Sequence, residues 1–365
     1  MNIQKAPLIA IAFLLLSCGN RNNLLVRPIE VLLTISSTDT VHGKVVVDSA
    51  PGARDLYCID SLLCIESSDP ASQLKILSTD SYDIIAQLCP KGRARNEFID
   101  PISGSKQIYE KSGRKYLLMY DNFLNIKTIN ITESLNEGRT IVDDVIPSYL
   151  NYRVGNSIFL CSKAQWFNYK KVSYTDPRDG IYNPPHFYLS TGNKEEEISV
   201  FNNVMDFPEG KNGLIDFVYE GNMRLKPDQS KIVFSTFYMP YLLIFDLESN
   251  EVKMFHEKGK LSYSAPYPNI EGNNDIEMFF GDVSVTNDFI ICTYLEGTQG
   301  DYRDPNKRPC VMVFNWEGEY LTGFHLDHRT YRITYDEYKK NIYGLDTSNG
   351  KEQIIVYDIQ KYLTR

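Results

Sequence analysis

"YLLIFDLESNEVKMF", Tyr241 to Phe255, is the stretch from which the architecture can be read. Leu243, Phe245 and Leu247 alternate with Ile244 and Asp246, Glu248-Ser249-Asn250 has turn chemistry, and Val252 and Met254 then alternate with charged residues. These are two strands joined by a short turn. "CVMVFNWEGEYLTGF" (310–324) repeats the pattern, with Asn315 in the place of Asp246 and a turn at Glu317-Gly318. "QIIVYDIQKYL" (353–363) begins the same way, with Asp358 in that place. "HFYLSTGNKEEEISVF" (186–201), "NIKTINITESLNEGRTIV" (125–142) and "QLKILSTDSYDIIAQL" (73–88) complete a set of six hairpins.

Their first strands centre near Ile76, Ile129, Tyr188, Ile244, Val313 and Val356, so the gaps are 53, 59, 56, 69 and 43 residues. An irregular period of about 40 to 60 residues, with two strands visible per unit, is the mark of a propeller. Two further strands precede the hairpin in the last three units: "FVYEGNMRLKPDQSKIVFSTF" (217–237), "FFGDVSVTNDFIICTYLE" (279–296) and "YRITYDEYKKNIYGLD" (331–346). A small four-stranded sheet cannot bury both faces alone, and packing around a ring covers them. "VLLTISSTDTVHGKVVVDS" (31–49) is left over at the front. A propeller often closes by letting an N-terminal strand complete the last blade, so this segment is expected beside the C-terminal unit. The fold expected is all-β: a six-bladed β-propeller of four-stranded antiparallel blades, its ring closed by an N-terminal strand. A pair of β-sandwiches and a seven-bladed ring are the alternatives.

The N-terminus carries an address. Lys5 precedes an unbroken apolar run, Leu8 to Leu16, which is shorter than the roughly 20 residues that cross a bilayer. A basic residue, a short apolar core and a small residue make a secretory signal. The signal ends in "LLSC" (15–18), which resembles the lipobox of bacterial lipoproteins. That resemblance implies cleavage before Cys18 and diacylation of its sulfur. The expected organisation is a signal peptide over 1–17, a lipid anchor and polar tether over 18–30, and a propeller over 31–365. By the same resemblance, Gly19 after the cysteine favours the outer membrane, and the missing acidic cluster favours its periplasmic side. No later run is apolar enough to span, so the membrane is met through the lipid alone.

Composition excludes some classes. The net charge is −9, or −10 once Lys5 leaves, and no basic cluster is present, which argues against nucleic acid. Of the six cysteines after Cys18, most lie in apolar strand-like runs, where a free thiol acts as a small hydrophobe. Cys58 and Cys64 alone flank a turn and look pairable.

"AQLCPKGRARNEFIDP" (86–101) follows the first hairpin. Gly92, Arg93, Glu97 and Phe98 make it similar to a blade junction of bacterial six-bladed TolB-like propeller lipoproteins. Ala94 and Arg95 depart from that pattern. The resemblance, together with the lipobox and the hairpins, covers nearly the whole chain and implies a binding or scaffold role in the envelope. It carries over no catalytic residue.

Two long insertions interrupt otherwise tight units, at 164–188 and 295–309, and each contains Tyr-x-Asp-Pro. Both fall between second and third strands, so they are expected on one face of the ring. Loops held on a rigid frame are where propellers bind. Trp166, Phe167, Tyr169, Tyr174, Tyr182 and Tyr302 offer flat apolar faces, and Asp176, Arg178, Asp301, Arg303 and Asp304 offer hydrogen bonds, to a protein, peptide or glycan of the envelope. Packing of the aromatics onto the blades is the competing reading for each. No cofactor is expected. The His325–His328 pair has helix-type spacing in a strand-like segment, so no metal is assigned. Carboxylates such as Glu97, Asp216 and Asp282 look the same as strand-end caps, and they would carry the alternative, a divalent-metal-dependent propeller hydrolase or lyase. No Gly-x-Ser-x-Gly or other nucleophile constellation is present.

Overall fold

A computed structural model describes residues 24–25, 29–33, 39–102, 104, 106–121, 125–147, 157–160, 165–170, 186–191, 194–200, 220–257, 277–304, 306–348 and 350–363. Four strands come first: β1 (Leu24–Leu25), β2 (Ile29–Leu33), β3 (Thr40–Val41) and β4 (Lys44–Val47). Blade one is β5 (Ala53–Ile59), β6 (Leu62–Ser67), β7 (Leu74–Ser78) and β8 (Ile84–Leu88). Blade two has an inner strand split into β9 (Pro101–Ile102) and β10 (Ile108–Lys111), then β11 (Arg114–Asp121), β12 (Asn125–Asn130) and β13 (Val142–Pro147). Blade three is β14 (Ser157–Leu160), β15 (Gln165–Lys170), β16 (His186–Thr191) and β17 (Lys194–Ser199). Blade four is β18 (Gly221–Leu225), β19 (Lys231–Thr236), β20 (Leu242–Asp246) and β21 (Val252–Glu257). Blade five is β22 (Glu277–Val285), β23 (Phe289–Thr298), β24 (Cys310–Asn315) and β25 (Tyr320–Leu326). Blade six is β26 (Thr330–Asp336), β27 (Asn341–Asp346) and β28 (Gln353–Asp358), and its fourth strand is β4.

The fold is thus the six-bladed β-propeller read from the hairpin period, and the closing strand comes from the expected segment. β4 pairs antiparallel with β28, Val45 opposite Ile355. Inner strands of neighbouring blades touch, and β26 of blade six meets β5 of blade one to complete the circle.

Six apolar clusters of described residues lie one in each wedge between blades. This explains why "LLIFD" is apolar at successive positions. Leu243 and Phe245 face blade three, while Leu242 and Ile244 face blade five. A strand buried on both sides reads as a continuous apolar run. In blades four, five and six the polar residue ending the third strand acts on the backbone that follows it. Asp246 accepts from the Glu248 and Ser249 N–H, Asn315 from Glu317 and Glu319, and Asp358 from Gln360. Each side chain makes the turn that sends the chain onward.

Two features depart from the sequence reading. The second hairpin is closed not by a turn but by a short helix, α1 (Ile131–Glu137), which Asn130 caps by accepting from the Glu133 N–H at 3.0 Å and Gly138 ends at φ 64°. The N-terminal segment also does more than close the ring. β1, β2 and β3 pair parallel to the outer strands β17, β21 and β25 in turn, so the segment runs along the rims of blades three, four and five before β4 enters blade six. Part of the expected tether is therefore strand.

Cys58 and Cys64 are free. Cys58 stands opposite Leu63 and packs toward blade six, whereas Cys64 stands opposite Tyr57 and packs toward blade two. They lie on opposite faces of one sheet, so the pairing that their spacing allowed does not form.

Candidate functional site

Every blade runs outward from its first strand, so all connections between first and second strands lie at one end of the ring and all those between second and third at the other. Both long insertions belong to the second end. Of the first insertion, 171–185 lies outside the described residues. Trp166 and Phe167 belong to β15 rather than to a loop. Phe167, expected at a binding face, is completely buried between blades three and four, 5.1 Å from the Phe245 ring. Its position on β15 turns it toward blade four, and so it has no face to offer a ligand. Trp166, half-buried, lies against Phe159 with ring centres 4.8 Å apart and planes tilted by 46°, beside blade two. Tyr169 lies in the same strand, and its side chain is outside the described residues, as are Tyr174, Asp176, Arg178 and Tyr182.

The second insertion forms a short helix, α2 (Gln299–Arg303). Asp301 completes its capping box with Thr298 and also pairs with Lys307 at 3.3 Å. The Thr298 N–H and Lys307 together hold the Asp301 carboxyl below the ordinary carboxylate range. Asp304 accepts from the Asn306 N–H, and Tyr302 lies 4.4 Å from Tyr331 with the Arg329 guanidinium 5.7 Å from its ring centre. Tyr302 is half-buried and partly open, and the Arg303 side chain is outside the described residues. Asp301 and Asp304 thus build the loop, while Tyr302 is the residue of this insertion that presents an aromatic edge. Cys18 also lies outside the described residues.

The ring's axis holds charges that the sequence did not bring together. Asp282 of β22 is fully buried. Lys106, from the break between β9 and β10, donates to Asp282 Oδ2 at 2.6 Å and pairs with Asp55 of β5 at 2.8 Å. Arg224 of β18 donates to Asp282 Oδ1 at 2.8 Å and to the Val283 and Gly104 carbonyls, and the Ile333 N–H of β26 donates to Oδ2 at 3.1 Å. Burial alone would raise the Asp282 pKa, but Lys106, Arg224 and Arg332 outweigh it and hold the carboxyl well below its usual range. Arg332 of β26 is exposed to solvent along the axis; partial desolvation within the ring opposes its charge, and Asp55 and Asp282 raise its pKa nonetheless. Lys106 sits at φ 51°, a left-handed conformation that costs a lysine about 1 kcal/mol or more. The paired carboxylates hold it there. The network crosses the axis from five inner-strand positions. Its sequence signal was charge inside apolar inner strands: Arg224 in "GNMRL" and Asp282 in "FFGDVSV" stand alone, while "ARDLYCI" and "TYRITYD" carry two charged residues each.

These contacts bear on the metal reading. Both Asp282 oxygens already accept from cationic or backbone donors. Glu97 closes the blade junction by accepting from the Ala94 N–H at 2.9 Å, and a Cβ on Gly92 would run into its carboxylate. Phe98 is fully buried there beneath the Lys127 ammonium, so Gly92, Glu97 and Phe98 of the family resemblance serve the junction's packing, while Arg93 is exposed. Asp216 lies outside the described residues.

A cavity of about 650 Å³ opens at the end of the ring opposite the insertions. Lys106 and Arg224 line it together with residues from the turns after the first strands of blades one, four, five and six.

No protein-family model matches the chain, and no curated protein matches it. Solved structures with similar architecture include a member of the DUF4221 family from Bacteroides vulgatus, 10% identical over 91% of this chain and 95% of that one, with a TM-score of 0.54. A protein described as exported, from Bacteroides fragilis, is 11% identical over 90% of this chain and 98% of that one, with a TM-score of 0.47. The Raptor protein of Chaetomium thermophilum is 8% identical over 87% of this chain and 29% of that one, with a TM-score of 0.49. At these identities the likeness to the DUF4221 member concerns the fold alone, a propeller spanning nearly the full length of both chains.

Proposed function

We propose that the protein is a lipid-anchored propeller lipoprotein of the bacterial envelope, of the TolB-like kind, that captures an envelope protein, peptide or glycan at the end of the ring carrying the two insertions. In this reading residues 1–17 are a signal, Cys18 carries the lipid, and the outer membrane is the site of anchorage on its periplasmic side. The observation that carries the binding role is the state of the axis. Where a channel-mouth hydrolase needs carboxylates free to hold a metal, Asp282 is saturated by Lys106, Arg224 and the Ile333 N–H. The ring is therefore a rigid frame, and its long second-to-third connections are the variable parts it displays. Tyr302 and the segment from Tyr169 to Tyr182 are the contact residues of this reading.

Replacing 171–185 and 300–308 by short turns tests it. The melting temperature is expected to stay within a few degrees of the parent, because 171–185 falls between β15 and β16 in the chain and no described residue of 300–308 belongs to the six inter-blade cores. Capture of partners from envelope extract is expected to vanish. Undiminished capture by the trimmed ring refutes the reading. Stoichiometric calcium in the purified protein would instead favour the hydrolase or lyase.

A further inference from the structure

The cavity opposite the insertions reverses the electrical sign of the molecule. The whole chain carries 47 acidic and 38 basic residues, yet this cavity is lined by Lys106, Lys115, Arg224, Lys226 and Lys340 against only Asp60 and Glu337. Part of that positive charge is compensated. Lys106 and Arg224 face Asp282 and Asp55 behind the floor, Lys115 pairs with Asp60, and Lys226 pairs with Asp228 at 2.7 Å. Asp60 and Asp228 are about half exposed, at 52% and 45%, so those two pairs sit in water and are weak. Lys340 has no acidic partner among the described residues. The floor charges, by contrast, are fixed: the Arg224 side chain is 3% exposed and that of Lys106 is 6% exposed.

The walls are not purely polar. Ile59, Ile108, Leu225 and Val285 supply apolar surface, and Tyr109, stacked on Tyr116 at 5.0 Å with rings 14° from parallel, supplies a flat one. Tyr335 is in the wall, 5% exposed, and its hydroxyl has no hydrogen-bond partner among the described residues. A buried hydroxyl without a partner is costly unless something occupies it. The volume lies within the range that encloses small organic ligands, roughly 300 to 1,000 Å³.

We propose that this cavity is a second binding site, distinct from the insertion-bearing end, for a small organic anion: a carboxylate, sulfonate or phosphate on an apolar or aromatic body. The anion faces the ring of ammonium groups from Lys115, Lys226 and Lys340, and the body lies on Tyr109 and the aliphatic wall. Positive charge focused at the mouth of a low-dielectric hollow raises the local concentration of such a ligand.

The probe is 8-anilino-1-naphthalenesulfonate, an aromatic sulfonate whose fluorescence rises on burial, titrated into the mature protein. Its uncharged counterpart, N-phenyl-1-naphthylamine, serves as the comparison. Saturable binding at one site is expected, weakening as salt is added. The charge-removing pair Lys226→Gln and Lys340→Asn is expected to raise the sulfonate Kd about three- to tenfold and to leave the uncharged probe unchanged. Lys340 sits at φ 59°, which asparagine tolerates, so the pair should fold, and an unshifted melt confirms it. Should the melt shift, Lys226→Gln alone gives the same readout with about half the effect on a logarithmic scale. Absence of saturable binding, or a sulfonate Kd that neither salt nor the substitutions alter, overturns the proposal.

Discussion

Asp282 is the residue on which the centre of the molecule turns. With its side chain fully buried and two cationic partners in contact, removing its charge leaves Lys106 and Arg224 facing each other in a low dielectric. Asp282→Asn is therefore expected to cost about 3 kcal/mol or more in chemical denaturation at neutral pH. The pH dependence has a definite sign. The folded-state pKa lies below the unfolded value of about 3.9, so the stabilisation is complete above that pH and fades as pH falls through the lower, folded value. The gap between parent and Asp282→Asn should narrow as the solution is acidified below about pH 4. A gap that stays constant down to the acid limit would show that the carboxylate's charge is not what holds the centre. The sequence marked Asp282 as a carboxylate of interest but placed it among metal candidates. Its partners lie 176 and 58 residues away, and nothing local announces that they are cations. Trp166 and Phe167 show the same limit in reverse. Their aromatic character was plain, but which side of β15 each occupies was settled by neighbouring blades.

At the scale of elements, the third strands and their turns were legible in the sequence. Alternation and Asx-turn chemistry act between residues close in the chain, and the Asp246 and Asn315 turns formed where they were expected, whereas Asp358 is followed by a short helix over Gln360–Leu363 in place of the sixth hairpin's second strand. The helix α1 was less visible: "ITESLNEG" is a cap-to-cap helix of 7 residues, too short for periodicity to stand out from a turn. The N-terminal strands repay a direct test. β4 supplies the fourth strand of blade six, and Gly43 lies so close to Ile355 and Tyr357 that a Cβ would collide with both. Deleting residues 39–47 strips β28 of its outer partner β4, leaving β27, and uncovers Ile354 and Ile355. The melting temperature of that variant is expected to fall by at least about 10 °C, with aggregation from the opened edge. Deleting only residues 19–33 removes rim pairing and should cost far less. Equal losses from the two deletions would contradict a closing role for β4.

For the whole molecule, the address and the ring come together at the N-terminus. Leu24, the first paired residue among those described, follows Cys18 by six positions, a reach of about 20 Å when fully extended. A lipid on Cys18 would thus hold the rim of blade three close to the bilayer. Cys18→Ser is expected to move the protein from the membrane fraction to the soluble fraction and to abolish its labelling by a fatty-acid analogue. Unchanged membrane retention and labelling would remove the lipid from the account.

The number of blades, the all-β class and the source of the closing strand were decided by the sequence itself. Each rests on chemistry between near neighbours, repeated around the ring: an apolar strand, then in most blades a polar turn and a second strand, with α1 replacing the turn in blade two and β4 supplying the last strand of blade six. The axis network, the side of the ring on which the cavity opens, the rim path of the first strands and the burial of Phe167 were decided by tertiary structure. Each requires residues far apart in the chain to meet. They do so only because the ring closes, which brings five inner-strand positions to a common axis regardless of their distance in sequence.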